Sequence, residues 1–157
     1  MRPFEREGES VTASFTALET ELLGDLAAQV VDLLADVSPD DPAVARLLPD
    51  AYRDDEEASA EFRRFTEHGL ADRKIANAQA LIQSLKEGGE VKLDTAGQQA
   101  WLRALTDIRL IIASRLGIET DDDHGRGESD EDLMMRDIYD WLASVQGSLI
   151  ESIESLE

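Results

Sequence analysis

Cysteine is missing from the sequence, and histidine occurs only twice, as His68 and His124. The absence of thiols excludes disulfides, thiolate nucleophiles, cysteine-based zinc sites and thiol redox switches. No apolar run approaches the length of about 18 residues that suggests a membrane-spanning helix. The N-terminal stretch MRPFEREG also lacks the apolar core of a signal peptide, so we expect a cytoplasmic protein. The length of 157 residues fits one helix-rich domain.

Groups that carry out chemistry are scarce as well. The signatures GxGxxG, GxxxxGKS/T, HExxH and GxSxG are all missing from the sequence. No serine arrangement around His68 indicates a catalytic triad, and carboxylates are so numerous that pairs arise at any spacing by chance. We therefore predict no enzyme, and no catalytic, cofactor-binding or metal-binding residue. An enzyme is the third alternative, and it would require a pocket that gathers Arg109, His68 and several carboxylates.

Charge is strongly unbalanced, with 35 acidic against 15 basic residues and a formal net charge of −20. The negative electrostatic field of such a chain repels the phosphate backbone of nucleic acids, so we expect no direct binding to nucleic acid. A basic protein surface is the natural partner of such a chain. Acidity that serves only solubility is the alternative.

Hydrophobic periodicity predicts a mainly α fold, a compact helical domain of about five helices. A short β-hairpin precedes the helices at residues 1–15, where Val11, Ala13 and Phe15 alternate with polar residues. Thr16 and Glu19 fit a capping box at the start of the first helix, which extends to about residue 37. The apolar face of this helix consists of Leu18, Leu22, Leu26, Val30, Leu33, Leu34 and Val37. A short helix follows at Pro42.

The central helix is predicted to begin after Asp54 and to continue to about Leu85, with Gly88 and Gly89 ending it. Asp54 fits its N-cap, and acidic residues follow in the first turn. Two apolar stripes lie on either side of Gly69 and are out of phase with each other. The helix therefore either bends at Gly69 or presents its two halves to different neighbours.

A second short strand is a candidate at residues 90–93, and Thr95 and Gln98 fit a second capping box. The helix behind this box ends near Leu116, with Gly117 as its C-cap. A strand, a capping box and an apolar helix thus occur twice along the chain. Internal duplication and chance similarity of amphipathic helices are the two explanations.

Arg109 falls within the apolar stripe of this helix, between Leu105 and Ile112. A guanidinium in that position needs a carboxylate or backbone carbonyls around it, so we predict a buried ion pair. A snorkelling side chain and an anion or partner site are the alternatives.

Residues 119–132, ETDDDHGRGESDED, predict an acidic loop. A calcium-binding EF-hand loop starting at Asp121 would need an acidic or amide residue at position 125 and glycine at position 126, but the chain has Gly125 and Arg126 there. We therefore expect no more than weak, unspecific cation binding. The last helix follows over residues 133–157, with Ser129 as a candidate cap. Its apolar stripe is expected to pack in the core, and any uncovered part would form a homodimer surface. The stripe consists of Met134, Ile138, Trp141, Leu142, Val145, Leu149, Ile153 and Leu156.

Four segments together resemble an actinobacterial family, the domain of unknown function 2017 (DUF2017), described as actinomycete oxidative-stress regulators. They are RPFEREGESVTASFTALETELL, LLPDAYRDDEEASAEFRRFTEHGLADRKIANAQALIQSL, AWLRALTDIRLIIASRLGI and IYDWLASVQGSLIES. The resemblance implies a regulator that acts on transcription by contacting a stress sigma factor. It also implies a gene neighbourhood shared with a protease adaptor and with sulfur metabolism.

The sequence departs from the family in one respect. Thiol-based sensing, which the resemblance implies, cannot operate in a chain without cysteine. Met134 and Met135 are then the candidate oxidation sites, with ordinary packing as the alternative. Our leading hypothesis is a regulatory module that contacts a sigma factor or RNA polymerase, and the runner-up is an adaptor in regulated proteolysis. The predicted partner-binding residues are Arg53, Arg63, Arg64, Glu67, Asp121, Asp122 and Asp123.

Overall fold

The structure, a computed structural model, describes residues 1–35, 42–47, 56–117 and 129–154, with side chains except at residues 42, 44, 45, 56–68 and 87. Within these ranges the fold is mainly α, which confirms the prediction. It contains four long helices and one short helix: α1 (Ala17–Ala35), α2 (Pro42–Leu47), α3 (Glu56–Ser84), α4 (Thr95–Leu116) and α5 (Asp130–Glu154). A 3-10 turn, Leu85–Glu87, continues the end of α3.

The strands form one antiparallel sheet in the order β1 (Arg2–Glu7), β2 (Ser10–Ser14) and β3 (Glu90–Leu93). The N-terminal hairpin and the second short strand are both confirmed. Val11 pairs with Leu93 and Ala13 pairs with Val91, and all four side chains are buried. Alternation thus places one face of the sheet on the helices.

The two predicted capping boxes have different outcomes. At α1, the Thr16 N–H donates to Glu19 Oε1 at 2.8 Å and the Glu19 N–H donates to Thr16 Oγ1 at 3.1 Å, as predicted. At α4 the predicted box is wrong, because Asp94 is the N-cap and its carboxylate accepts from the Gly97 N–H at 2.8 Å. The Gln98 amide instead donates to backbone carbonyls of Glu9 and Leu93. The two strand–helix units therefore begin differently, which weakens the duplication hypothesis.

Helix α4 lies at the centre of the core and packs against α1, α2, α3 and α5. Trp101 and Leu105 are fully buried, and the Trp101 indole N–H donates to Ser84 Oγ at 2.8 Å. The ring of Trp101 also stacks on Phe15 and meets Phe4 edge to face. This aromatic cluster joins the sheet to α3 and α4.

Several element ends differ from the predicted ones. Helix α5 begins at Asp130, so it includes the last three residues of the predicted acidic loop. Ser129 Oγ accepts from the Asp132 N–H at 3.1 Å, which confirms Ser129 as the cap. Helix α3 continues through Gly69 without a break in its assignment, whereas Asp54 lies outside the described residues.

Candidate functional site

The partner-binding residues predicted from the sequence lie outside what the structure describes. Arg53 and the three aspartates, Asp121, Asp122 and Asp123, fall outside the described ranges. Arg63, Arg64 and Glu67 belong to the backbone of α3, but their side chains are not described, and the same holds for His68. These assignments therefore stay predictions.

Within the described ranges, Arg109 has no carboxylate partner and so does not form the predicted ion pair. Its guanidinium donates to Gln146 Oε1 at 2.9 Å and lies 4.8 Å from the centre of the Tyr139 ring. Both partners belong to α5, so Arg109 links α4 to α5 through an amide and a cation–π contact. Gln146 completes the link by donating to Thr106 Oγ1 at 2.8 Å. Among the described residues, the buried ion pair is formed instead by Lys74 and Asp107.

A groove lies on the surface between the N-terminal turns of α1 and the first half of α5. Its volume is about 260 Å³ and its lining is mostly apolar. Leu18 is 76% exposed and Met134 is 63% exposed, values that are high for large apolar side chains. We call this feature the α1–α5 groove; it is lined by Leu18, Glu19, Leu22, Met134, Asp137, Ile138 and Trp141.

Packed aromatic residues support one wall of the α1–α5 groove. Trp141 meets the ring of Phe15 edge to face, with ring centres 6.4 Å apart. Phe15 is buried and stacks in turn on Trp101. The groove therefore borders the aromatic cluster of the core, which holds Trp141 in place through contacts worth about 0.5–1.5 kcal/mol per ring pair.

Two carboxylates, Glu19 and Asp137, border the apolar lining. Burial raises the pKa of Glu19, but hydrogen bonds from Thr16 and the Met1 ammonium together outweigh it and lower the pKa below its ordinary value. Glu19 is therefore ionised at neutral pH while it caps α1. Asp137 is exposed to solvent. The groove thus combines apolar contact area with negative charge.

Leu18 and Met134 belong to helix faces that periodicity predicts to pack inward, and for these two residues that prediction is wrong. Leu18 lies in the first turn of α1 and Met134 in the second turn of α5. Both lie near the N-terminal ends of their helices, whereas Val145 and Leu149, further along α5, are fully buried. Periodicity marks the face of a helix but not how far along the axis a neighbour covers it.

A second cavity, of about 380 Å³, lies between α3 and α4. Lys74 Nζ donates to Asp107 Oδ1 at 2.6 Å within it, and Asp107 is almost fully buried. Burial raises the pKa of Asp107 above its ordinary value, and Lys74 offsets part of that rise. We call this feature the α3–α4 cleft; it is lined by Leu70, Arg73, Lys74, Asn77, Arg103 and Asp107.

The fold is that of a helical domain completed by a small antiparallel sheet. Its residues 1–153 match the family described as Domain of unknown function (DUF2017), and the chain belongs to that family. None of the described helices is long and apolar enough to cross a membrane.

Curated relatives come from mycobacteria. The chain is 31% identical to the putative oxidative stress regulator AosR of Mycobacterium leprae, over 71% of this chain and 58% of that protein. It is 28% identical to the oxidative stress regulator AosR of Mycobacterium tuberculosis, over 72% of this chain and 68% of that protein. The chain therefore spans less than two thirds of the Mycobacterium leprae relative. No solved structure shows significant similarity to the chain.

Proposed function

We propose that this protein is a non-catalytic regulatory module that modulates stress-responsive transcription by contacting a sigma factor or RNA polymerase. The α1–α5 groove carries the proposal, because it joins exposed apolar side chains to carboxylates on a chain of net charge −20. The names of the mycobacterial relatives describe regulators of oxidative stress and support a regulatory role.

The exposed apolar area is the first argument for a docking surface. Leu18 and Met134 gain burial only if another surface covers them, at about 1.5–3 kcal/mol for each side chain that becomes fully buried. A helix laid into a groove is a common way to cover such residues. Since Trp141 is held against the aromatic cluster, that wall of the groove is preorganised for docking.

Charge is the second argument, and it favours an occupant with basic side chains. Glu19 and Asp137 border the groove, and further acids lie at exposed positions of the same two helices. These are Glu21, Asp25, Asp130, Glu131 and Asp140. The complementary occupant is an amphipathic helix of the partner, with an apolar face flanked by lysine or arginine.

A second copy of this chain is a poorer occupant. Two chains that each carry a net charge of −20 repel each other, and the groove itself has an acidic border. The middle of the apolar stripe on α5 is already covered, since Leu142, Val145 and Leu149 are fully buried. We therefore do not propose a homodimer, although affinity capture would reveal one.

The surface predicted from the sequence forms a separate part of the proposal. Arg63, Arg64 and Glu67 on α3, with Arg53 and the three aspartates at 121–123, would supply additional partner contacts. The double variant Arg63→Ala and Arg64→Ala tests this part, because it removes two guanidinium groups without adding negative charge that would itself attract a basic partner. We expect it to weaken partner capture, and unchanged capture would remove this surface from the account.

Affinity capture from the native cell extract, with identification by mass spectrometry, tests the proposed function. The wild-type chain is expected to retain a stress sigma factor or an RNA polymerase subunit at moderate salt. Added salt should reduce the recovery, because exposed charges are screened within about 8–10 Å near physiological ionic strength. The double variant Leu18→Ser and Met134→Ser should lose the partner.

Leu133→Ser is the matched control, since Leu133 is 47% exposed on α5 but does not line the groove. We expect it to capture the partner as the wild type does. Recovery of a protease component instead would favour the adaptor alternative, and recovery of a second copy would favour the homodimer. Either result, or the absence of transcription proteins, would overturn the proposal.

A further inference from the structure

We propose that the α3–α4 cleft binds inorganic phosphate as the hydrogen phosphate ion. This site is separate from the α1–α5 groove, because it is formed by α3 and α4 and shares no lining residue with it. Its volume of about 380 Å³ falls within the range of small-molecule sites, which is about 300–1,000 Å³. The inference does not depend on the proposed function in transcription.

Unpaired cations converge on the cleft, in a chain where acids outnumber bases by 35 to 15. Arg73 on α3 and Arg103 on α4 are exposed and line the cleft from its two sides. Neither guanidinium has a hydrogen bond or ion pair with any residue that the structure describes. Planar guanidinium groups suit phosphate oxygens, to which they can donate in pairs.

Lys74 supplies a third cation, whose ammonium group has hydrogen-bond donors that no described residue uses. Its ammonium has three N–H donors, and the bond to Asp107 Oδ1 accounts for one of them. The lysine side chain keeps 19% of its surface exposed, so the ammonium is partly accessible from the cleft. Asp107 therefore anchors the ammonium, and the two remaining donors can serve a bound anion.

Asp107, which lines the cleft, also carries an unpaired acceptor. Asp107 is only 1% exposed. Its Oδ2 atom is buried and has no hydrogen-bond partner among the residues that the structure describes. A buried carboxylate oxygen without a partner is uncommon and calls for an explanation, such as a ligand or an ordered water. The site thus calls for a ligand with acceptors for three cations and a donor for one carboxylate.

The hydrogen phosphate ion meets both requirements. Its oxygens accept from guanidinium and ammonium groups, and its single P–OH can donate to Asp107 Oδ2. Sulfate has a similar shape and charge but no proton in mildly alkaline buffer. A dicarboxylate such as succinate has a similar charge but a different shape, and it too has no proton there. These two anions therefore test the assignment against phosphate.

Isothermal titration of the purified full chain with inorganic phosphate, sulfate or succinate tests the proposal, at ionic strength held constant with chloride. We expect saturable binding of one phosphate per chain, with weaker binding of sulfate and succinate. The double variant Arg73→Gln and Arg103→Gln should weaken phosphate binding at least tenfold, roughly what the loss of one charge-assisted hydrogen bond produces. Both arginines are exposed, so the variant should still fold.

Arg115→Gln is the matched control, because Arg115 is an exposed arginine of α4 that does not line the cleft. It should leave phosphate binding unchanged. Absence of phosphate binding would overturn the proposal, as would equal weakening by the control, which would indicate a general effect of charge. Sulfate or succinate binding as tight as phosphate binding would overturn the assignment of a phosphate ligand. Asp107→Asn should reduce the preference for phosphate over sulfate, and an unchanged preference would overturn the role of Asp107.

Discussion

Gly89 directly precedes β3 and lies against Phe15, which belongs to the connection between β2 and α1. Its backbone has a φ of +88°, and its carbonyl accepts from the Phe15 N–H at 2.8 Å. A Cβ atom at this position would lie 2.4 Å from the Phe15 carbonyl oxygen. Both the backbone conformation and the close approach therefore require glycine.

Gly89→Ala should lower the free energy of unfolding by about 1–3 kcal/mol, because backbone strain and a steric clash act together. Gly88→Ala is the control, since Gly88 has a φ of +73° but nothing within 4 Å of the added Cβ. Denaturant unfolding should show the larger loss for Gly89→Ala. Equal losses would mean that the contact with Phe15 contributes nothing.

Asp107 makes the free energy of unfolding depend on pH, in a direction that follows from its pKa shift. Burial raises the pKa of Asp107 in the folded state, with Lys74 opposing the rise, so the folded chain holds this proton more tightly than the unfolded chain. The contribution of Asp107 to stability should therefore fall as the pH rises from its ordinary pKa of 3.8 to the raised value, and stay constant above it.

The measurement is the difference in unfolding free energy between the wild type and Asp107→Asn across that pH range. Other carboxylates contribute nearly equally to both chains, so the difference isolates Asp107. We expect this difference to decrease with rising pH. A difference that increases would mean that Lys74 dominates over burial and lowers the pKa.

Sequence reasoning could not find the pair of Lys74 and Asp107. The two residues are 33 positions apart, and neither lies in a motif. Asp107 falls on the buried side of α4 beside Ile108, where periodicity alone favours an apolar residue. A polar residue on an apolar face is a signal of a buried polar contact; Asp107 carries that signal as Arg109 does, but the sequence does not show its partner.

At the scale of elements, most helices and strands could be predicted from local patterns. Alternation at residues 11–15 and glycine at residues 88 and 89 are local signals with direct structural causes. The start of α4 shows the limit, because Asp94 and Thr95 are adjacent and both suit an N-cap. The backbone carbonyls of Leu93 and Glu9 accept from the Gln98 amide; they lie on β3 and in the β1–β2 turn, outside the helix motif.

Asp94→Ala should lower the free energy of unfolding by about 1 kcal/mol, since the Gly97 N–H loses its acceptor. Thr95→Ala is the matched control at the neighbouring, exposed position. It should change stability by less than about 0.5 kcal/mol, as is usual for surface substitutions. Thermal or denaturant unfolding of the two variants gives the comparison. A larger loss for Thr95→Ala would restore the capping box that the sequence suggested.

At the scale of the whole molecule, charge and coverage determine which surfaces are free to bind. The net charge could be read from composition, but the two cavities could not. The α1–α5 groove brings Leu18 of α1 together with Met134 of α5, and the α3–α4 cleft brings Arg73 together with Arg103, across 30 positions of the chain. Both depend on how helices are placed relative to each other, which local periodicity does not specify.

The most direct test of the central claim is calorimetric titration of the purified chain with a purified stress sigma factor from the same organism. We predict saturable binding that weakens as salt is added. The double variant Leu18→Ser and Met134→Ser should weaken it at least tenfold, as expected for the loss of at least about 1.4 kcal/mol of apolar contact, while Leu133→Ser should not. No measurable binding, or equal weakening by Leu133→Ser, would contradict the account.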